Sequence, residues 1–271
     1  MFPPLRCLLV VSALLLATPA LADETDVPGD LTLSGSAAVV SQYRWRGLAQ
    51  SDNQPAVQAA ITLNHVTGFY ASLWGSSAKT GTGPIAIGGS EIDLAGGYAK
   101  EIGFSGLVID GGVQGYIYPD AAKANWLEFY AALVKSLGPV QAKVGLAYAP
   151  AQKAFDLAWT SPRRSNTYIY GDLTSGVPGT PLTLHGHVGH TAGGFAFGRA
   201  YLDYSLGVTV QWRKLAVDAA LVGTDLSRGD ISRGFLPRYL NYQGCGAAAA
   251  CAAGFHRMAK PVGVVSVTAR F

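Results

Sequence analysis

Residues 201–212 read "YLDYSLGVTVQW" and alternate without a break. Leu202, Tyr204, Leu206, Val208, Val210 and Trp212 share one parity, while Tyr201, Asp203, Ser205, Gly207, Thr209 and Gln211 share the other. A period of two is strand geometry, because successive side chains of an extended chain point to opposite faces. One face is wholly apolar and the other is polar or small. The stretch also has the length that a tilted strand needs to cross the hydrocarbon of a bilayer.

The same pattern recurs from Leu31 to Phe271. Alternating segments fall at 31–46, 55–65, 69–77, 91–100, 105–117, 126–136, 139–149, 166–173, 181–190, 201–212, 214–224 and 262–271. Within "GVVSVTARF" at 263–271, Val265, Val267, Ala269 and Phe271 oppose Val264, Ser266, Thr268 and Arg270. The connections "VTG", "EIGFS", "SLGP", "WRK" and "SGVPGT" are short. "SSAKTGTGPIAIGGS", "APAQKAFDLAWTSPRRS" and the stretch from Leu226 to Lys260 are long. Short turns at one rim and long loops at the other predict an all-β protein. Its expected form is an antiparallel up-and-down transmembrane barrel of about twelve strands, with short periplasmic turns and long extracellular loops.

The opening "MFPPLRCLLVVSALLLATPALA" has a basic residue, an apolar run and a small-residue end, the pattern of a cleaved signal peptide over 1–22. The expectation is one barrel domain over 23–271 in a Gram-negative outer membrane. No later run is long and apolar enough for a membrane helix. With a net charge of +3, nothing points to nucleic acid. Cys245 and Cys251 are close in a Gly/Ala-rich stretch, so an exported chain is expected to staple its 226–260 loop with a local disulfide. Zinc would need further ligands, and only His256 is near. No metal or cofactor is expected.

Alternation assigns faces. Leu107, Ile109, Val113, Leu127, Phe129, Leu133, Val140, Val144 and Leu146 should meet lipid. Arg44, Arg46, Glu91, Asp93, Asp110, Gln114, Glu128, Lys143, Asp203 and Asp218 should line the lumen. A basic group facing mid-membrane hydrocarbon costs about 2–4 kcal/mol, which drives charges inward. Those charges fit either a narrow hydrated pore or a plug of paired groups; twelve strands lie between filled and wide barrels. Arg44 and Arg46 equally fit a rim position against lipid or lipopolysaccharide phosphates. The basic loop residues Lys153, Arg163, Arg164, Arg228, Arg233, Arg238, Arg257 and Lys260 favour anionic headgroups or solutes. His185 and His187 share the inward face, yet no serine can be placed beside them, so an enzyme is not expected. "TGTGPIAIGG" is an external loop, since no helix follows to cradle phosphate.

"SQYRWRGLAQSDNQPAVQAAITLNHVTGFYASLWGSS" resembles the opening of the TorF family, proteobacterial outer-membrane proteins assigned as porins. The likeness rests on Tyr43, Trp45, Arg46, Gly47, Gln50, Ser51 and Pro55 to Gln58. It continues through "GFYASLWGS", "EIDLAGGY", "YIYP" and "WLEFYAAL". Ala49 stands where the family has Ser or Thr. The terminal "VSVTARF" likewise resembles the closing strand of outer-membrane barrels, in which Phe271 serves as the signal for the barrel-insertion machinery. The resemblance implies a porin-like channel, and the expectation is a monomer or weak homo-oligomer that passes small polar solutes by diffusion. A non-conducting structural or lipid-interacting barrel is the alternative, and an outer-membrane lipid hydrolase comes third.

Overall fold

A computed structural model of the chain describes residues 29–79, 88–103, 106–155, 164–196, 199–234 and 248–271. The expected signal peptide and Cys245 lie outside the described residues, as does the side chain of Cys251. The barrel strands are β1 (Leu31–Val40), β2 (Ala56–His65), β3 (Phe69–Ser77), β4 (Ser90–Ile102), β5 (Leu107–Ile117) and β6 (Trp126–Leu137). They continue as β7 (Val140–Gln152), β8 (Arg164–Gly176), β9 (Leu182–Gly193), β10 (Tyr201–Trp212), β11 (Leu215–Thr224) and β12 (Val262–Arg270). Each pairs antiparallel with its chain neighbours, and β12 returns to β1 to close the barrel. Helices α1 (Arg228–Gly234) and α2 (Ala248–Ala259) belong to the connection between β11 and β12.

The expected outward parity is the apolar exterior. Val39, Leu206 and Trp212 are 57, 70 and 66 % exposed, an arrangement that water would penalise and hydrocarbon favours. Closure leaves no long free edge, so backbone donors and acceptors pair within the wall, as a bilayer requires. Turns on the short rim are tight. Trp212 and Leu215 flank a turn in which Arg213 takes φ 53°, a left-handed value that suits the twist of a hairpin.

The seam is built differently from the other pairings. Its ladder runs from Ser36–Arg270 to Val40–Ser266. Beyond it, Gly35 N donates to Phe271 O at 2.7 Å and Phe271 N donates to Gly35 O at 3.0 Å. The Phe271 ring lies over Gly35, where any Cβ would overlap it.

The largest departure from the sequence reading is at the end of the first strand. β1 stops at Val40 rather than running to 46, and the chain then turns into the barrel. Alternation alone cannot mark that point, because Tyr43, Arg44, Trp45 and Arg46 continue the period after the strand has left the wall.

Candidate functional site

The connection from β1 to β2 forms a small inner hairpin. Arg44–Trp45 pairs with Leu48–Ala49 around Arg46 and Gly47, whose φ values are 47° and 77°. Two positive φ angles in a two-residue loop define a type I′ turn, and glycine takes the second position without strain. Ser51 fastens the base: its Oγ accepts from Tyr43 N at 2.9 Å and donates to Gln54 O at 2.6 Å. Gly47 comes so close to Gly223, Thr224 and Asp203 that a Cβ there would overlap them.

Arg46, at the tip, crosses to the opposite wall. Its Nη2 donates to both carboxylate oxygens of Glu128 on β6, at 2.7 and 2.9 Å. The guanidinium also stacks over Trp45 at 4.2 Å and over Tyr168 of β8 at 4.0 Å. On β10, Tyr201 donates its hydroxyl proton to Arg46 O at 3.3 Å. Trp45 packs against Tyr116, Trp126 and Phe195, and Tyr43 against Trp74. The hairpin therefore touches β3, β5, β6, β8, β10 and β11, and bridges the extracellular half of the lumen. Arg46 and Glu128 retain 6 % side-chain exposure each.

Arg44 serves another purpose. Its Nη1 donates to Gly47 O at 2.9 Å and to Met258 O at 2.8 Å, and its Nη2 donates to Asn53 Oδ1 at 2.8 Å. It thereby ties the hairpin to the end of α2. Arg257 repeats the link from the helix, donating to Asp52 at 2.8 Å. The two arginines, grouped by parity in the sequence, have separate partners in the fold.

The inward acids sit where alternation places them, but most are engaged. Tyr118 donates to Glu91 at 3.1 Å, Gln114 Nε2 to Asp93 at 2.9 Å, and Tyr116 to Glu128 at 2.8 Å. Tyr70 donates to Asp110 at 2.7 Å and also meets the Tyr130 hydroxyl. Lys143 lies over the Tyr170 ring at 5.5 Å. His185 contacts Asp218 at 2.6 Å, and Thr209 donates to the same oxygen at 2.7 Å. His187 faces Asp172 with Nδ1 at 2.5 Å and Asp203 with Nε2 at 3.0 Å. Carboxylates at both nitrogens suit an imidazolium that donates twice. Because those carboxylates lie on opposite sides of the ring, the three groups do not converge on one point.

Sequence reasoning passed over Asp172, which is on the inward parity of β8 and reaches the lumen with 37 % side-chain exposure. Register places it opposite Lys143 on one side and His187 on the other. It also passed over the way tyrosines lie flat on the wall. Tyr170 covers Gly145, Tyr168 covers Gly189, and Tyr70 and Tyr130 meet over Gly97. A glycine opposite each ring lets it fold against the barrel instead of standing out into the lumen.

Outside the wall, Ser227 and Asp230 cap α1. Asp230 accepts from Ser227 N at 3.0 Å and from Ser227 Oγ at 2.7 Å, while Ser227 Oγ accepts from Asp230 N at 3.1 Å. These Ser227 bonds, with Arg199 nearby, hold the Asp230 carboxyl down to about 2.

A closed wall of twelve strands, apolar outside and charged within, is the architecture of a porin-like outer-membrane barrel. The chain belongs to the bacterial family described as "Bacterial protein of unknown function (Gcw_chp)", whose pattern matches residues 24–234. No curated protein matches the sequence. Among solved structures, it is similar to the KdgM porin in complex with disordered oligogalacturonate. Identity is 9 %, coverage is 88 % of this chain and 99 % of that one, and the TM-score is 0.52. A porin refined at 1.8 Å resolution gives 11 % identity, 89 and 100 % coverage and a TM-score of 0.41. Salmonella typhi OmpF in complex with daunomycin gives 8 % identity, 89 and 97 % coverage and a TM-score of 0.41. At such identities the likeness is one of fold.

Proposed function

We propose that this protein is an outer-membrane channel for passive diffusion of small hydrophilic solutes, with the inner hairpin as its narrowest point. The observation that carries the reading is the two-sided wall. Inward charges that remain partly open, Asp172, His187 and Asp218, face a lumen below the hairpin. Neighbouring charges of opposite sign produce a transverse field, which orders polar solutes and water. The resemblance to the TorF family and the KdgM porin fold support the same reading. The remaining inward groups, including Glu91, Asp93, Asp110, Gln114, Glu128, Lys143 and Asp203, shape the field from within the wall. Phe271 acts in assembly as the signal read by the insertion machinery.

The buried Arg46–Glu128 pair specifically favours a second reading, a barrel stoppered by its first loop. Planar-bilayer recording separates the two. Discrete steps from the refolded protein support the channel. Silence from the parent, with steps after residues 42–53 are replaced by a Gly/Ser segment, supports the stopper. Silence from both proteins rejects conduction.

A further inference from the structure

We propose that the outer wall carries a built site for one anionic phospholipid of the periplasmic leaflet, with its phosphate held by Lys100 and Lys135. Two independent features meet there. The first is an apolar groove of about 590 Å³ on the lipid-facing side, lined by Tyr98, Ile109, Gly111, Leu133, Leu146 and Ile169 among others. Gly111 and Ala131 pair across β5 and β6 and are small where the surrounding wall is bulky, which makes the hollow. A groove at that depth faces hydrocarbon and takes an acyl chain.

The second feature is charge. Among the described residues, Lys100 on β4 and Lys135 on β6 are the lysines and arginines on the outward parity of the barrel strands. Each lies one same-face step toward the periplasm from a groove residue: Lys100 from Tyr98, and Lys135 from Leu133. Register brackets them around the start of β5, with Lys100 opposite Ile109 and Lys135 opposite Leu107. Strands two places apart are separated by about 10 Å, which two lysine side chains span to meet one phosphate. The height is that of the interface, since Tyr98 packs edge-on to Phe69 at 4.9 Å as part of the aromatic rim. The nearby Glu101 accepts from Gly106 N at 2.8 Å within the turn. A phosphate above two ammonium groups, with a chain rising into a hollow directly beyond them, is the chemistry of a phospholipid.

The site is independent of whether the lumen conducts. Native mass spectrometry of the refolded protein, titrated with phosphatidylglycerol in mild detergent, reads it directly. The expected result is one lipid bound at least about tenfold more tightly than the next. Lys100→Gln/Lys135→Gln should remove that preference, and so should Gly111→Leu, which fills the groove and leaves both lysines in place. Lys153→Gln/Arg233→Gln in the loops should leave it intact. Heat-dependent gel mobility confirms that each variant is a folded barrel. A parent with a statistical ladder of equal lipids overturns the proposal. Wall variants that match the parent, or loop variants that lose as much as wall variants, overturn it as well.

Discussion

Nη2 of Arg46 bridges both carboxylate oxygens of Glu128, joining the tip of a loop to a wall strand 82 residues away. Among the described residues, Nη1 of the same guanidinium has no hydrogen-bond partner, and its plane is held between Trp45 and Tyr168. Aromatic faces stabilise a desolvated guanidinium, so the rings and the carboxylate together offset the cost of burying the charge.

Arg46→Met should destabilise the barrel by about 3–5 kcal/mol, because it leaves the Glu128 charge buried without a partner. Arg46→Met/Glu128→Gln should recover much of that loss. Urea titration in micelles, read by gel mobility, compares the two; equal losses would show that the pair adds nothing beyond packing.

The lumen charges predict selectivity. Asp172→Asn/Asp218→Asn should lower the preference for cations, and Lys143→Gln should raise it. Reversal potentials across a salt gradient measure both changes. Arg44→Gln should leave selectivity unaltered, because its partners belong to the hairpin and α2 rather than to the open lumen.

Glycine beneath a tyrosine should matter for width as well as stability. Gly145→Ala and Gly189→Ala place a methyl where the rings of Tyr170 and Tyr168 lie. Overpacking of this kind costs about 1–3 kcal/mol, and relief requires the ring to swing into the lumen. Single-channel conductance should fall in each variant. Replacing the tyrosine with Phe should leave conductance near the parent, since the ring still has room.

The α1 cap predicts an acid transition. Asp230 is held at about 2, below the roughly 3.9 of a free aspartate, so its contribution is complete above the unfolded value. It is lost as the pH falls through about 2. A spin label at Ser232→Cys should therefore stay ordered at pH 4 and loosen only toward pH 2. Ser227→Ala removes the two hydroxyl bonds to Asp230 but keeps the backbone one, and should move that midpoint upward.

Much of this was legible in the residues themselves. The period of two in "YLDYSLGVTVQW" is local geometry. The separation of Leu206 from Asp203 follows from the cost of placing charge in hydrocarbon. Even the alternation of short and long connections is written in the chain, and it leads to the closed twelve-strand wall. Such features depend on neighbours in sequence or on the solvent outside, and both are known without a fold.

Only the tertiary structure decided which inward groups meet. Alternation placed Arg44 and Arg46 alike, yet one holds α2 and the other crosses to Glu128. His187 could have been solvated, but register set Asp172 and Asp203 at its two nitrogens. The reason is physical: contacts inside a barrel depend on shear, on where a loop leaves the wall and on which glycines make room. None of these is carried by a single strand.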